Sequence, residues 1–254
     1  MTERAYTALL VEETDDGIRV RLNRPDVRNA IDAVTTRELH RICDVAEEHP
    51  RILTIAGGSG FFAAGADIGQ LRARRRDDGL RGVNARLFSR IQALPMPTIA
   101  VIDGYALGGG AELAYACDFR IGSTLTKLGN PETGLGIIAG AGATWRLIEL
   151  VGEPLAKEIL LTGRTLDAQE ARAAGLLTRV VKSEQLDTAV EELRAAILKQ
   201  APLAVQLTKR VMHAPRAAHP FVDELAQAVL FETEEKEHRM TAFLERKRAA
   251  GTTQ

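Results

Sequence analysis

The stretch GYALGGGAELAYACDF (residues 104–119) places three consecutive glycines and a glutamate at the start of a short apolar segment. Consecutive glycines are costly to order, and a carboxylate is unusual in a segment that is otherwise apolar. An apolar run over 98–104 precedes it, so the pattern predicts a strand that turns through 108–110 into a helix. This turn either packs tightly against a neighbouring segment or presents free backbone N–H groups to a ligand.

A second stretch, GGSGFFAAGADIGQL (57–71), has the same arrangement, because it also follows an apolar strand and bends at small residues. The bend predicts another free N–H group near 64–66. Two N–H groups from separate strand ends are what binding of an oxyanion requires. Ligands of α/β proteins also bind outside the carboxyl ends of strands, where both bends are predicted to lie.

Two glutamates accompany these bends. Glu112 falls in the first turn of the predicted helix, where its charge suits the helix dipole. Glu132 lies in GNPETGLG (129–136), a glycine-rich segment with little helical signal. Close to one oxyanion site, the two carboxyl groups would form an acid–base pair. The alternative is that Glu112 only caps its helix and Glu132 lies on a surface loop.

The rest of the chain indicates an α/β protein. A hairpin is predicted over 6–23 around Asp15, Asp16 and Gly17, and helices are predicted over 33–48 and 83–94. From Gly142 onward helical patterns dominate, over 142–151, 153–162, 167–174, 186–200, 202–213 and 220–247. We therefore predict an α/β core over residues 1–195, which contains the active site, and a helical C-terminal region over 196–254.

Composition excludes several functional classes. The 254 residues carry a net charge of −1, which argues against a dedicated nucleic-acid binder, and the arginine run at 74–76 is interpreted as a solvated, mobile face. No apolar run is long enough to span a membrane. Cys43 and Cys117 stand apart, the histidines lack metal-ligand spacing, and the charged opening MTERAYTALLVEETDD is not typical of a secretory signal. We expect a cytoplasmic protein with no metal site and no membrane or nucleic-acid partner.

Five segments, in order along the chain, resemble the crotonase family, also called the enoyl-CoA hydratase/isomerase superfamily. They are LNRPDVRNAI (22–31), FFAAGADI (61–68), IAVIDGYALGGGAELAYACDFRI (99–121), NPETGLGIIAGAGATWRL (130–147) and MTAFLERK (240–247). The resemblance covers essentially the whole chain. It implies a spiral of ββα units followed by a helical region that builds homotrimers, often paired into homohexamers.

The resemblance also implies roles for the residues at both bends. In the family, two backbone N–H groups bind the thioester carbonyl oxygen, and the matching residues here are Ala66 and Gly109. Family hydratases use two glutamates to hold and activate water, and the matching residues are Glu112, for water activation, and Glu132, for proton delivery to C2. The implied function is that of a lyase of fatty acid metabolism, an enoyl-CoA hydratase acting on a trans-2-enoyl-CoA. Coenzyme A is part of this substrate, and no separate cofactor is expected.

Further contacts with the substrate follow from the same resemblance. The matching positions are Val27, Arg28, Ala64, Ile68, Gly140, Phe243 and Arg246. In relatives the last two positions often reach the coenzyme A of a neighbouring subunit. Ala139, Ala143 and Trp145 replace the proline, glycine and glutamine that family hydratases commonly have, so the acyl preference stays open.

Two other functions are compatible with the resemblance. One is a different reaction of an acyl-CoA on the same scaffold, such as double-bond isomerisation, C–C hydrolysis or dehalogenation. The other is a non-catalytic role in binding a CoA thioester or RNA. Many relatives with other reactions lack one of the two glutamates, so the presence of both favours hydration. The net charge near zero weighs against RNA binding.

Overall fold

The computed structural model describes residues 6–58 and 60–251, so the first five residues of the charged opening lie outside it. The strands are β1 (Leu9–Thr14), β2 (Gly17–Leu22), β3 (Ile52–Ala56), β4 (Phe61–Ala63), β5 (Thr98–Ile102), β6 (Tyr105–Leu107), β7 (Phe119–Ser123), β8 (Lys127–Gly129), β9 (Thr165–Asp167) and β10 (Arg179–Val181). The helices are α1 (Ala33–Glu48), α2 (Ile68–Ala73), α3 (Arg76–Arg81), α4 (Val83–Gln92), α5 (Gly109–Ala116), α6 (Ala143–Val151), α7 (Glu153–Thr162), α8 (Ala168–Ala173), α9 (Leu186–Leu198), α10 (Pro202–Met212), α11 (Phe221–Phe231) and α12 (Glu234–Gly251).

The strands form two sheets, and the chain alternates between them. The larger sheet has the order β1-β2-β3-β5-β7-β10, in which β1 and β2 form the predicted antiparallel hairpin and the other pairs are parallel. The smaller sheet has the order β4-β6-β8-β9 and is parallel except for β8 and β9. In each of the consecutive pairs β3-β4, β5-β6 and β7-β8, the first strand belongs to the larger sheet and the second to the smaller. Two sheets with many helices confirm the predicted α/β class.

The smaller sheet brings the two glycine-rich bends together. Strands β4 and β6 are parallel neighbours, so their carboxyl ends lie side by side and the segments 64–66 and 108–110 follow them at the same edge. Helix α5 starts in close contact with β4, since a methyl group placed on Gly110 would lie 2.2 Å from the carbonyl oxygen of Ala63. All eight residues of α5 are buried. The glycine run is therefore a close-packed turn as well as a helix N-terminus.

We expect Gly110→Ala to destabilise the fold, because the new methyl group would overlap the β4 backbone and force a shift costing roughly 1–3 kcal/mol. The free energy of unfolding, measured by urea denaturation, should fall accordingly. Gly58→Ala is the matched control, since nothing lies within 4 Å of a methyl group at that position. Equal unfolding midpoints for the two variants would contradict the close packing of α5 on β4.

The polar segment around the arginine run is helical. It forms α2 and α3, and a carboxylate in or beside the first turn of each helix accepts a backbone N–H: Asp67 from Gln70 at 3.0 Å and Asp78 from Arg75 at 2.9 Å. Such caps satisfy N–H groups that a helix start leaves without partners. The prediction described this segment only as a solvated face and did not foresee either helix.

The chain divides into two compact units between Arg194 and Ala195, one residue before the division predicted from sequence. In the second unit, the single helix predicted over 220–247 is wrong, because α11 ends at Phe231 and α12 begins at Glu234. Thr233 separates them: its hydroxyl donates to the carbonyl oxygen of Leu230 and accepts from the N–H of Lys236. None of the described helices combines the length and apolar composition that a membrane crossing requires.

Candidate active site

A cavity of about 210 Å³ lies at the shared edge where β4 and β6 end. Its walls come from four segments of the first unit, 64–71, 74–85, 108–112 and 131–141. Seven of the predicted site residues line it, namely Ala64, Ala66, Ile68, Gly109, Glu112, Glu132 and Gly140. The structure therefore brings both bends and both glutamates to one cavity.

The backbone N–H groups of Ala66 and Gly109 lie close together in the cavity wall. A methyl group placed on Gly109 would be 3.4 Å from the nitrogen of Ala66. Gly109 is the first residue of α5, where a backbone N–H has no partner within the helix. Among the described residues neither N–H donates a hydrogen bond, whereas the adjacent N–H groups of Gly108 and Asp67 donate to Gly129 and Ile31. Two neighbouring free donors at a helix N-terminus can bind an oxyanion.

The loop that carries Ala66 is held by the segment just before α1. The N–H of Ala64 donates to the carbonyl oxygen of Arg28 at 3.0 Å, and that of Ile31 donates to Gly65 at 2.8 Å. The guanidinium of Arg28 lies over the ring of Phe61, 5.3 Å from its centroid. Arg28 and its exposed neighbour Val27 thus lie beside this loop but outside the cavity lining. Their contact with coenzyme A stays a prediction.

Glu112 is held by backbone groups from another segment. Its Oε1 accepts the N–H of Ala141 at 2.7 Å and the N–H of Ala143 at 3.1 Å. Only 3% of the residue is exposed. Because these partners lie about thirty residues further along the chain, Glu112 does more than cap its own helix. Both donors bind the same oxygen, which leaves Oε2 as the oxygen available to a ligand.

Glu132 faces the same cavity, near the polar groups of its own backbone and of Asn130, which act to lower its pKa. It lies in a 3₁₀ turn, Pro131–Leu135, and is 8% exposed, so it is not a surface loop residue. Neither carboxyl oxygen has a hydrogen-bond partner among the described residues. A methyl group placed on Gly108 would lie 2.9 Å from Oε1, which places the carboxyl group directly over the glycine turn.

Burial makes both carboxyl groups weaker acids than an exposed glutamate. The pKa of Glu112 is raised to about 7, because burial and the nearby charge of Glu132 raise it more than the N–H donors and the cation of Arg146 lower it. Burial also raises the pKa of Glu132. Near neutral pH such a pair can hold one proton and one negative charge, which is the state that combined acid and base catalysis needs.

We expect stability to depend on pH through Glu112. Between about pH 4.5 and about pH 7 the folded state keeps a proton that the unfolded chain has lost, so the free energy of unfolding falls as pH rises, by at most about 1.4 kcal/mol per pH unit. Glu112→Gln removes this contribution. Urea denaturation across that range should therefore show the variant gaining stability relative to wild type as pH rises, and parallel curves would contradict the shift.

Charged groups are few along the cavity. Arg74, Asp78, Glu112 and Glu132 are the ionisable side chains of its lining. Among residues 6–58 and 60–251, no three His, Cys, Asp or Glu side chains are grouped as a metal site would need. The absence of a metal requirement stays a prediction, since it concerns the reaction and not only the fold.

Sequence reasoning missed several residues of the site. Asn84 is buried in the cavity wall, with Nδ2 3.9 Å from where a methyl group on Gly109 would lie. The N–H groups of Ala141 and Ala143, which hold Glu112, also went unforeseen. A signal was available for these two, because 140–142 is a third small-residue bend before a predicted helix. The sequence around Asn84 contains no pattern that would have predicted a site residue at this position.

Phe243 and Arg246 lie on α12, in the second unit, and both are exposed. The guanidinium Nε of Arg246 donates to the carbonyl oxygen of Ala242 on the same helix. Their predicted contact with coenzyme A is therefore untested by the described contacts and stays a prediction.

Comparison with known proteins places this geometry in a family. The sequence model described as Enoyl-CoA hydratase/isomerase matches residues 13–252. The chain is 35% identical over 242 residues to the short-chain-enoyl-CoA hydratase of Clostridium acetobutylicum, covering 91% of this chain and 92% of that protein. It is 36% identical over 256 residues to the crotonyl-CoA hydratase of Syntrophomonas wolfei, covering 96% and 98%.

A solved structure supports the same assignment. The crystal structure of enoyl-CoA hydratase from Bacillus anthracis matches with a TM-score of 0.88 at 32% identity, over 94% of this chain and 97% of that chain. This agreement confirms the predicted crotonase-like α/β fold. The chain belongs to the enoyl-CoA hydratase/isomerase family.

Proposed function

We propose that this enzyme is an enoyl-CoA hydratase, a lyase that adds water across the 2,3 double bond of a trans-2-enoyl-CoA. The observation that carries the proposal is the pairing of two buried glutamates, Glu112 and Glu132, in the cavity that the N–H groups of Ala66 and Gly109 line. The names of the relatives from Clostridium acetobutylicum and Syntrophomonas wolfei, both hydratases, support it. Coenzyme A enters as part of the substrate, and no separate cofactor is proposed.

The N–H groups of Ala66 and Gly109 bind the thioester carbonyl oxygen. As the oxygen of water bonds to C3, electron density moves through C2 to this carbonyl, and its oxygen becomes negative. Both donors belong to folded backbone, so little reorganisation is needed as charge develops on this oxygen. The positive end of the α5 dipole, which begins at Gly109, acts in the same direction.

The two carboxyl groups then divide the proton transfers. Burial raises the pKa of Glu112 only to about 7, because two N–H donors and the cation of Arg146 favour its ionised form, so near neutral pH its Oε2 takes a proton from the attacking water. Burial raises the pKa of Glu132 as well, and in its protonated form it delivers a proton to C2. One proton is taken and one is given for each water added, so exchange between the two groups restores the starting state.

The direct test uses crotonyl-CoA with the purified protein. Hydration removes the conjugated double bond, so the ultraviolet absorbance of the enoyl thioester should fall, and mass spectrometry should show 3-hydroxybutyryl-CoA. A 3-enoyl product from a longer substrate would instead indicate an isomerase. Free coenzyme A or a shortened acyl group would indicate hydrolysis, and no turnover of any enoyl-CoA would contradict catalysis.

We expect short acyl chains to be preferred. The cavity holds about 210 Å³, and the apolar side chains of Leu71, Val83, Ile137 and Ile138 line it, the last three of them partly exposed. An apolar wall discriminates by roughly 10-fold or more for each methylene group that does not fit against it. Across a series of trans-2-enoyl-CoA thioesters, kcat/KM should be highest for the four-carbon substrate and fall with length. A value that rises steadily with chain length would contradict this expectation.

We also propose that the protein is a homotrimer or a homohexamer. The second unit has exposed apolar side chains, which would remain in contact with water if the protein were a monomer. A group of exposed apolar side chains is typical of a subunit interface. They are Phe221, Leu225, Val229, Met240, Phe243 and Leu244, each more than half exposed. Sedimentation equilibrium should give three or six times the 27.6 kDa chain mass, and a monomer at micromolar concentration would contradict the proposal.

A further inference from the structure

We propose that Arg146 is a positioning residue for Glu112, which it orients through the backbone of the 141–143 loop. The inference rests on the proposed function, in which Glu112 takes a proton from water. Arg146 lies on α6 and lines no part of the cavity, so it does not contact the substrate.

The first step of the connection is the loop itself. Oε1 of Glu112 accepts hydrogen bonds from the N–H groups of Ala141 and Ala143 and from no other described group. The orientation of the carboxyl plane, and hence the position of Oε2, follows the position of this backbone. A displacement of about 1 Å at a reacting group can cost 10²-fold in rate, so whatever holds the loop also sets the activity.

The guanidinium of Arg146 contacts the same loop. Its Nη1 donates to the carbonyl oxygen of Ala141 at 3.1 Å. A methyl group placed on Gly142, whose φ is +128°, would lie 1.8 Å from the same Nη1. The loop backbone therefore lies directly on the guanidinium, in a conformation that only glycine adopts readily.

The guanidinium is itself fixed by α4. Nε donates to Oε1 of Gln92 at 2.8 Å, and Nη2 donates to Oγ of Ser89 at 3.1 Å. The ring of Trp145 covers one face, with its centroid 4.1 Å from Cζ. All three guanidinium nitrogens thus have partners, and the residue is 2% exposed. This forms a continuous series of contacts from α4 through Arg146 and the loop to Glu112.

Charge adds to the geometric effect. Arg146 and Glu132 are the charged side chains whose fields act on Glu112, with opposite signs. The cation favours the ionised form of Glu112, which is the form that accepts a proton. Replacing Arg146 with a neutral residue should therefore both loosen the carboxylate and raise its pKa, whereas lysine should loosen it and keep most of the charge.

Arg120 offers a matched control, because it is also buried in the first unit but makes structural contacts only. Its Nε and Nη1 donate to the carbonyl oxygens of Leu176 and Cys117, both at 2.6 Å, and Nη1 also donates to Ala114 in the last turn of α5 at 3.4 Å; none of these hydrogen bonds reaches the 141–143 loop. Loss of either arginine is expected to lower stability. Only loss of Arg146 is expected to alter the behaviour of Glu112.

The experiment compares Arg146→Gln, Arg146→Lys and Arg120→Gln in the full-length protein. With crotonyl-CoA, both Arg146 variants should lower kcat by about 10- to 100-fold with less than about threefold change in KM. In Arg146→Gln the acid limb of the kcat/KM profile should move to higher pH, and in Arg146→Lys it should move less. Arg120→Gln should leave kcat and the limb unchanged at temperatures where it is folded. Equal kinetics for the Arg146 and Arg120 variants would overturn the proposal.

A substrate-free measurement separates this inference from the proposed function. The titration of the Glu112 carboxyl carbon can be followed by ¹³C NMR. Its signal is identified as the one that is missing from the spectrum of Glu112→Gln. Arg146→Gln should raise its midpoint and Arg120→Gln should not, whether or not the protein hydrates crotonyl-CoA. If Arg146→Gln does not fold, Gln92→Leu, which frees one side of the guanidinium, should show a smaller shift in the same direction. An unchanged midpoint in the folded variant would overturn the proposal.

Discussion

Glu112→Gln and Glu132→Gln are each expected to lower kcat for the hydration of crotonyl-CoA by about 10²–10⁴-fold. The first variant cannot take a proton from water, and the second cannot deliver one to C2. Both carboxyl groups are buried in the same cavity, so bulk water cannot readily replace either in its role. KM should change little, because neither substitution alters the size of the side chain.

The two variants also discriminate between reactions. A hydratase needs both glutamates, whereas a double-bond isomerase that moves one proton with one base would lose activity in only one variant. The fold should survive, because the amide oxygen of glutamine at position 112 can still accept from Ala141 and Ala143. Glu38→Gln is the control for loss of a buried carboxylate elsewhere, since Glu38 binds the N–H groups of Thr7 and Ala8. Near wild-type kcat in either cavity variant would contradict the assigned roles.

Gly109→Pro is expected to lower kcat by about 10²–10³-fold relative to Gly109→Ala, because proline removes one of the two N–H donors to the thioester oxygen. Position 109 is the first of helix α5, where proline fits the helical backbone and no intrahelical hydrogen bond is lost. Alanine provides the matched comparison. It adds the same Cβ, 3.4 Å from the nitrogen of Ala66, and keeps the N–H.

The comparison between proline and alanine separates the replacement of the N–H, where proline carries its Cδ, from the effect of the added Cβ. Steady-state kinetics with crotonyl-CoA should show the difference in kcat, with circular dichroism to check that both variants remain helical. If both lose activity equally, crowding beside Ala66 is responsible and the donor contributes nothing measurable. If both retain wild-type kcat, the N–H of Gly109 does not bind the developing oxyanion.

Local sequence patterns predicted much of the fold. Helix α1 spans 33–48 as predicted, because its apolar residues recur at helical spacing and pack against the core. The patterns did not predict β4 and β6, which are three residues each and too short to show alternation. They also joined α11 and α12, since one threonine with a local hydrogen bond leaves no trace in apolar spacing.

The residues of the candidate site also divide into those that local sequence patterns predicted and those that they did not. The glycine runs and both glutamates could be recognised, because a free helix N-terminus and a buried carboxylate need unusual residue types at fixed places. Asn84 and Arg146 could not, since their contacts cross from α4 to segments more than twenty residues away in the chain. From the sequence alone, Arg146 cannot be distinguished from a solvent-exposed arginine on a helix, because only the structure shows that it is buried.

The sequence by itself determined the strand over 98–102 and the helix that starts at the glycine run, the residue types at the two bends and membership of the family, because these depend on neighbours along the chain. Only the tertiary structure decided that Glu112 and Glu132 share one cavity, and that Glu112 presents Oε2 while Ala141 and Ala143 hold Oε1. The physical reason is that a carboxyl group's acidity and orientation depend on burial and on donors in space, and those donors come from segments that only folding brings together.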